Sequence, residues 1–206
     1  MVERPIRIAP LEAEDVERLA ALAREIWYAH YPAIISTAQI EYMLSQRYGL
    51  EVVREELRRE GLWWSKLMVG AEMAGFASYF LTGAAGEMKI DKLYVHPRHQ
   101  GRGYGGLMIS HIREVARLRG CSRLVLAVNK RNQSAIGAYL KHGFHIAGAV
   151  VKDIGDGFVM DDYIMQQPVM GDGSAPRGGA GPRLRDATPG GAQGGRHDDG
   201  DSHGNS

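Results

Sequence analysis

Four glycines and two arginines lie close together in residues 97–106, which read PRHQGRGYGG. Residues 88–95 before this segment are apolar enough for a buried strand, and residues 107–118 after it have apolar side chains at helical spacing. Glycines at such a strand-to-helix junction let the backbone approach a ligand closely. Several N–H groups and the positive end of the helix dipole then point at one anion. The segment therefore predicts a site that binds a phosphate.

Gly101, Gly103 and Gly106 also satisfy the GxGxxG fingerprint of dinucleotide-binding proteins. That fingerprint predicts an acidic residue about 20 positions further on, at the end of the next strand, where it binds the ribose hydroxyls. Residues 123–131 read RLVLAVNKR and contain no carboxylate. The fingerprint also normally follows the first strand of its domain, whereas several predicted elements precede it here. The sequence therefore favours a different phosphate-bearing ligand.

Three motifs together resemble those of the GCN5-related N-acetyltransferases (GNAT). Gln100, Gly103 and Gly105 fit the family's pyrophosphate-binding loop, Q-x-x-G-x-G. Residues 132–144, NQSAIGAYLKHGF, are similar to its second signature, N-x-x-A-I-x-x-Y-x-x-x-G-F, and residues 91–97, DKLYVHP, to its central strand. The motifs cover residues 88–144, and looser similarity extends over residues 5–167.

The resemblance implies that acetyl-CoA is the co-substrate and that no metal is needed. In this family the pantetheine arm of the cofactor lies like an added strand between two central strands that splay apart. The implied roles are a polarising N–H at Val95 and, at Asn132, a helix cap that touches the cofactor arm. The implied cofactor-binding residues are Leu93, Tyr94, Val95, Arg98, Gln100, Gly101, Arg102, Gly103, Tyr104, Gly105, Gly106 and Asn132.

Tyr139 and Asp91 are the predicted catalytic residues. Tyr139 fills the tyrosine position of the second signature, which in this family often lies beside the CoA sulfur, so we expect it to act as the acid. Packing in the core would also account for it. The strand position that carries a glutamate in histone-modifying members is Lys89 here, with Glu87 and Asp91 on the same strand face. We expect Asp91 to help remove the amine proton, directly or through water; an ion pair with Lys89 or Arg98 is the alternative.

Aromatic faces and carboxylates suit a cationic amine acceptor. The first two helices and the last hairpin wall the acceptor side in this family, and the layout is similar to that of bacterial polyamine acetyltransferases. We therefore expect transfer to a primary amine, a small amine or a polyamine. A protein or peptide N-acetyltransferase and a non-catalytic acetyl-CoA sensor are the alternatives, the latter because Lys89 replaces the glutamate. The candidate acceptor residues are Trp27, Tyr28, His30, Tyr31 and Tyr42, with Asp153, Asp156, Asp161 and Asp162 on the hairpin.

The elements that must position these residues alternate in a mixed order. Strands are predicted at residues 6–9, 63–69, 73–81, 88–95, 123–129, 144–152 and 158–165, and the last two form a hairpin turned at Asp156 and Gly157. Helices are predicted at residues 12–28, after a cap at Ser36 or Thr37, and at 50–60, 107–118 and 133–142. The order implies an α+β (α/β) single domain. Its GNAT-like form has a central mixed, mostly antiparallel twisted sheet flanked by helices, with a splayed central strand pair.

Composition sets the remaining expectations. The chain has 206 residues, of which 44% are hydrophobic, enough for one domain, which we place at residues 1–168. Residues 169–206 are rich in glycine and poor in large apolar side chains, so we expect a disordered tail; a weak metal-binding role for His197 and His203 is less favoured.

Charge and cysteine content limit the partners. The net charge of +1 gives no bias toward nucleic acid or a membrane, and the acidic N-terminal segment lacks the apolar core of a secretory signal. With Cys121 as its single cysteine, the chain forms no intramolecular disulfide, so we expect a cytoplasmic protein. The expected partner is a small-molecule amine, without nucleic acid or membrane, and a homodimer is left open.

Overall fold

The computed structural model describes residues 4–169 of the chain. The first half contains β1 (Ile6–Pro10), α1 (Val16–His30), α2 (Thr37–Tyr48), α3 (Leu50–Arg58), β2 (Leu62–Val69), β3 (Glu72–Leu81) and β4 (Glu87–Val95). The second half contains α4 (Tyr104–Leu118), β5 (Arg123–Asn129), α5 (Gln133–Lys141), β6 (His145–Gly155) and β7 (Phe158–Pro168). Single 3-10 turns at Ala13–Asp15 and Pro97–His99 precede α1 and residues 101–106, which we call the glycine segment.

The strands form one seven-stranded sheet in the order β1-β2-β3-β4-β5-β7-β6. All neighbouring pairs are antiparallel except β4 and β5, which are parallel. The predicted mixed, mostly antiparallel sheet is confirmed. The hairpin turn is also where the sequence placed it, since Asp156 and Gly157 both have the positive φ of a tight two-residue turn, 54° and 75°.

Helices cover both faces of the sheet. Helices α1 to α3 pack on one face through a core that includes Leu19, Ile26 and Phe76. Helices α4 and α5 pack on the other face, where Met108 and Ile112 meet strand residues such as Met88. No helix in the described part of the chain is long and apolar enough to cross a membrane.

Strands β4 and β5 separate after a short stretch of pairing. Their ladder joins Glu87–Ile90 to Arg123–Leu126 and goes no further. Beyond that point β4 stays paired with β3 as far as Val95, and β5 stays paired with β7 as far as Asn129. Each strand is therefore held on its outer side while a gap opens between them, which confirms the predicted splayed pair.

A β-bulge at Asp91 lies where the two strands separate. Tyr79 of β3 is opposite Ile90, but the next residue back along β3, Ser78, is opposite Lys92, so Asp91 is the extra residue. A bulge reverses the alternation of side chains beyond it. Ile90 accordingly packs with the α4 core, whereas Lys92 and Tyr94 turn toward the α1–α3 face.

The folded part extends past the predicted domain boundary. Val169, assigned above to the tail, is only 5% exposed, and its N–H donates to the carbonyl of Ser122 at 2.9 Å. An apolar side chain directly after the last strand still reaches the core, so the boundary after Pro168 is too early. The rest of the predicted tail, including His197 and His203, lies outside the described residues.

Candidate active site

A cavity of about 780 Å³ opens at the gap between β4 and β5. Residues of α1 and α2 line one side of it, and the glycine segment and α5 line the other. The structure brings together most of the residues singled out from the sequence. Those that line the cavity are Trp27, His30, Tyr31, Lys89, Asp91, Leu93, Tyr94, Val95, Gln100, Gly101, Gly103, Tyr104, Gly105, Gly106, Asn132, Tyr139 and Asp162.

The glycine segment ends in an uncapped helix N-terminus. Gly101 and Gly103 have φ of 75° and 80°, a conformation that favours glycine, and α4 begins directly afterwards without a side-chain cap. The first helical bond shown at this end runs from the N–H of Leu107 to the carbonyl of Gly103, so the preceding N–H groups have no intrahelical partner. A Cβ atom at Gly101, Gly103 or Gly105 would meet nothing within 4 Å. The segment thus offers free donors and open space to an anion.

Gly106 serves a different purpose from its neighbours. A Cβ atom there would lie 2.3 Å from the ring of His142, so this glycine allows α4 to pack against the end of α5. Arg98 and Arg102 are exposed and do not line the cavity. Their contact with phosphate groups stays a prediction.

The backbone of Leu93 and Val95 faces the gap. The N–H of His96 donates to the carbonyl of Ala74 at 2.8 Å, which makes Val95 and its β3 partner a non-hydrogen-bonded pair. In such a pair the N–H and carbonyl of Val95 point away from β3, toward β5, and alternation gives Leu93 the same direction. The Val95 carbonyl accepts a hydrogen bond from Nε2 of Gln100 at 3.0 Å. The N–H groups remain directed at the gap, as an extended ligand requires.

Tyr139 reaches the cavity from α5. The helix is capped as predicted, because Oδ1 of Asn132 accepts the N–H of Ala135 at 3.2 Å. One edge of the Tyr139 ring packs on Phe144, with centroids 5.6 Å apart. Enclosure by the protein raises the pKa of Tyr139 to about 12. Its hydroxyl is therefore protonated at neutral pH and acts as a hydrogen-bond donor.

Asp91 belongs to a chain of four charged residues, Arg47, Asp91, Lys92 and Glu56, which we call the charge chain. Oδ2 of Asp91 lies 2.5 Å from Nη2 of Arg47 and 2.7 Å from Nζ of Lys92, and Lys92 continues to Glu56 at 3.2 Å. The Lys92 side chain is 2% exposed, with its ammonium 4.7 Å from the ring centre of Trp64. The chain joins α2, β4 and α3 at the floor of the cavity.

The charge chain bears on the prediction that Asp91 helps to remove the amine proton, which stays a prediction. Burial raises its pKa, but the charges of Lys92 and Arg47 and the hydrogen bonds from both outweigh burial and lower the pKa to about 2. Such a carboxylate is a weak base, so the geometry disfavours direct proton removal by Asp91. Its ion-pair partners are also not the predicted Lys89 or Arg98. Strict alternation would have pointed Lys92 at the opposite face, and only the bulge brings it here.

The aromatic wall of the cavity follows one face of α1. Trp27, His30 and Tyr31 line the cavity, and the hydroxyl of Tyr31 lies 3.1 Å from that of Tyr94. Burial raises the pKa of both tyrosines well above the usual value, so both hydroxyls stay neutral. Tyr28 does not line the cavity, contrary to the prediction. It is rotated by about 100° from Trp27 on the helix and instead donates a hydrogen bond to Glu41 on the outer surface.

Of the four hairpin aspartates, the structure brings only Asp162 to the cavity. Asp161 is exposed and lies 2.5 Å from Nζ of Lys130. Asp153 and Asp156 lie at the hairpin turn, where Oδ1 of Asp153 accepts the N–H of Gly155 at 2.8 Å. Tyr42 of α2 also stays outside the cavity and donates its hydroxyl to the carbonyl of Ile154 at 2.7 Å.

Comparisons with known proteins point to one family. The family model described as acetyltransferase (GNAT) family matches residues 17–144. A spermidine N(1)-acetyltransferase of Thermoplasma acidophilum is 27% identical over 147 residues, which cover 68% of this chain and 89% of that protein. A spermine/spermidine N(1)-acetyltransferase of Bacillus subtilis is 30% identical over 118 residues, 55% of this chain and 78% of that protein.

The fold has a solved counterpart. The crystal structure of the PaiA N-acetyltransferase from Thermoplasma acidophilum, in complex with coenzyme A, superposes with a TM-score of 0.69 at 24% identity. The superposition covers 80% of this chain and 99% of that one. The described domain therefore shares its whole architecture with that structure.

The charge chain predicts a specific acid dependence of stability. The pKa of Asp91 falls from 3.8 to about 2 on folding, so its ionised form contributes about 2 kcal/mol above pH 4. That contribution is lost as the pH falls through the folded pKa. We expect the difference in unfolding free energy between wild type and Asp91→Asn to shrink from pH 5 to pH 2. Urea denaturation followed by tryptophan fluorescence measures it.

Asp161→Asn is the matched control, because the exposed ion pair to Lys130 contributes little to stability. A difference between wild type and Asp91→Asn that stays constant from pH 5 to pH 2 would show that Asp91 is not held ionised by its neighbours.

Proposed function

The chain belongs to the acetyltransferase (GNAT) family, and we propose that it transfers the acetyl group of acetyl-CoA to the primary amine of a small molecule. The observation that carries this proposal is the gap between β4 and β5, with Leu93 and Val95 presenting free backbone N–H groups to it. An anion site lies at one end of this gap and an aromatic wall with a carboxylate at the other. The phosphorylated arm of a thioester fits the first end, and an amine fits the second.

The glycine segment and β4 are the parts we assign to acetyl-CoA. The N–H groups that begin α4 suit the pyrophosphate, and the backbone of Leu93 suits the amide groups of the pantetheine arm. The Val95 N–H then donates to the thioester carbonyl, where negative charge develops as the amine attacks. The bound cofactor supplies the activated acetyl group, and these residues orient it.

Tyr139 is the residue we assign to the leaving thiolate. A thiol has a pKa of about 8.5, well below the value of about 12 at Tyr139. The tyrosine therefore stabilises the departing sulfur by donating a hydrogen bond, and it keeps its own proton. Its position on the α5 wall, packed against Phe144, fixes the direction of that donor.

A small amine is the acceptor class that the cavity supports best. The aromatic faces of Trp27 and Tyr31 and the carboxylate of Asp162 line the side opposite α5. The cations Arg47 and Lys92 neutralise Asp91, so Asp162 is the carboxylate of the cavity that is left to receive an ammonium group. The relatives named for spermidine and spermine support polyamines as the first small amines to test.

An assay of CoA thiol release tests the proposed function. With acetyl-CoA present, we expect thiol release that depends on added amine and saturates with a small amine such as spermidine, lysine or a simple diamine. A peptide with a free N-terminus should give a kcat/KM lower by about 10²-fold or more, because it must place a long chain at the aromatic wall. Tight acetyl-CoA binding without thiol release for any amine would contradict the proposed transfer and indicate a non-catalytic acetyl-CoA sensor.

Removing the Tyr139 hydroxyl tests its role in the same assay. Tyr139→Phe keeps the packing of the ring, so we expect kcat to fall by about 10²-fold while the affinity for acetyl-CoA changes little. Tyr163→Phe serves as the control, since Tyr163 packs on the same core but does not line the cavity. Wild-type turnover in Tyr139→Phe would remove this residue from the mechanism.

A further inference from the structure

We propose that Asp162 of β7 receives the ammonium group of the acceptor and takes its proton. This inference rests on the proposed function and names a residue of the same site. Asp162 takes the role of base that was predicted for Asp91. Asp91 is held by Arg47 and Lys92, whereas Asp162 has an oxygen without a partner.

The sheet topology places Asp162 at the open end of the gap. Asp162 is opposite Asn129, the last residue of β5, and the N–H of Lys130 donates to the carbonyl of Asp161 at 3.0 Å. Asn129 and Asp162 are therefore a non-hydrogen-bonded pair, in which side chains lie closest across the ladder. Asp162 therefore lies beside the end of β5, the strand that borders the gap, although it is far from β4 in sequence.

Asp162 points to the acceptor side of the sheet. Its neighbour Tyr163 packs with the α4–α5 core, so Asp162 has the opposite direction, toward α1 and α2. Two residues earlier, Met160 contacts the side chain of Gln39 on α2, with Nε2 3.7 Å from the sulfur. An amine that enters along the aromatic wall of Trp27 therefore meets Asp162.

The carboxylate of Asp162 is not committed to another group. Its Oδ1 atom is buried without a hydrogen-bond partner, and within residues 4–169 no cation lies within 4.0 Å of it. Asp91 has two cations on a single oxygen, and the adjacent Asp161 is paired with Lys130 on the surface. A buried carboxylate oxygen without a partner is costly, and an ammonium donor would satisfy it.

The surroundings also adjust the proton affinity of Asp162. Burial and the charge of Asp161 raise its pKa, while the charges of Lys89, Arg47 and Lys130 oppose the rise. A raised pKa brings the pKa of Asp162 closer to that of an amine, which makes Asp162 a better base than Asp91. The charged or titratable groups around it are Asp161 on β7, Lys130 after β5, Lys89 on β4, Arg47 on α2, Tyr31 after α1, and Lys152 on β6, which lines the same cavity.

The step balances without any further reactant. The ammonium group transfers one proton to Asp162, and the free amine forms the C–N bond to the thioester carbonyl. The C–S bond breaks and its electron pair leaves on sulfur. Of the three ammonium protons, one remains on the amide nitrogen. A second passes to the departing sulfur and gives the thiol, and the one on Asp162 passes to solvent.

Asp162→Asn gives a pH dependence that a structural role would not give. The wild type accepts the abundant ammonium form, so above the pKa of Asp162 its kcat/KM should be nearly flat up to pH 9. The variant must capture the rare free amine, whose pKa is about 10, so its kcat/KM should rise about tenfold per pH unit. We expect a loss of about 10³-fold at pH 7, the deficit of free amine at that pH, that shrinks to a few-fold near pH 10, with acetyl-CoA affinity unchanged.

Asp161→Asn is the neighbouring control and should stay within about twofold of wild type from pH 6 to pH 10, where Asp162 is ionised in both proteins and Asp161 faces solvent. A loss in Asp162→Asn that is the same at pH 6 and pH 10, or a loss below about threefold at pH 7, would overturn the role of Asp162 while the wild type remains an acetyltransferase. Absence of turnover in the wild type with every amine would overturn both proposals.

Discussion

The separation of β4 from β5 after Ile90 is the constraint on which the rest of the site depends. Two parallel strands in mid-sheet normally satisfy each other's backbone groups, and leaving them unpaired is costly unless a ligand or water replaces the partner. Here β3 and β7 hold the two strands along their full outer edges, so the gap cannot close by simple displacement. Helices α4 and α5 lie on one face of the sheet and α1 and α2 on the other, so the N-terminus of α4 and the aromatic wall of α1 border the gap from opposite faces.

The bulge at Asp91 connects this gap to the charges around it. It turns Lys92 toward α3, where a buried ammonium requires the carboxylates of Asp91 and Glu56 as partners. Asp91 is thereby occupied in holding α2 and β4 together through Arg47. Two aspartates line the cavity with opposite surroundings, one neutralised by two cations and one without a partner. This division of surroundings is the reason to assign structural and chemical roles to different residues.

Short-range signals were readable in the sequence, and long-range ones were not. The glycines of the α4 N-terminus, the Asn132 cap and the turn at Asp156 act within a few residues, so their types predict their geometry. The bulge depends on how β4 pairs with β3, and strict alternation therefore missed Lys92. Aromatic residues follow one another closely near the end of α1, and their order alone does not predict which of them face the cavity. Tyr28 faces outward. Asp162 reaches the site only because β7 inserts between β5 and β6, which no local pattern records.

A calorimetric titration of Gly105→Val tests whether the start of α4 and the gap beside it bind acetyl-CoA. A side chain at Gly105 meets no protein atom within 4 Å, so the fold should persist while the space for the pyrophosphate is filled. Gly148→Val on β6 is the matched control, since that position is equally open and lies outside the cavity. We expect Gly105→Val to lose at least about 10²-fold in acetyl-CoA affinity with an unchanged melting temperature, and Gly148→Val to bind as wild type. Unchanged acetyl-CoA affinity in a folded Gly105→Val variant would show that the pyrophosphate does not bind at the start of α4.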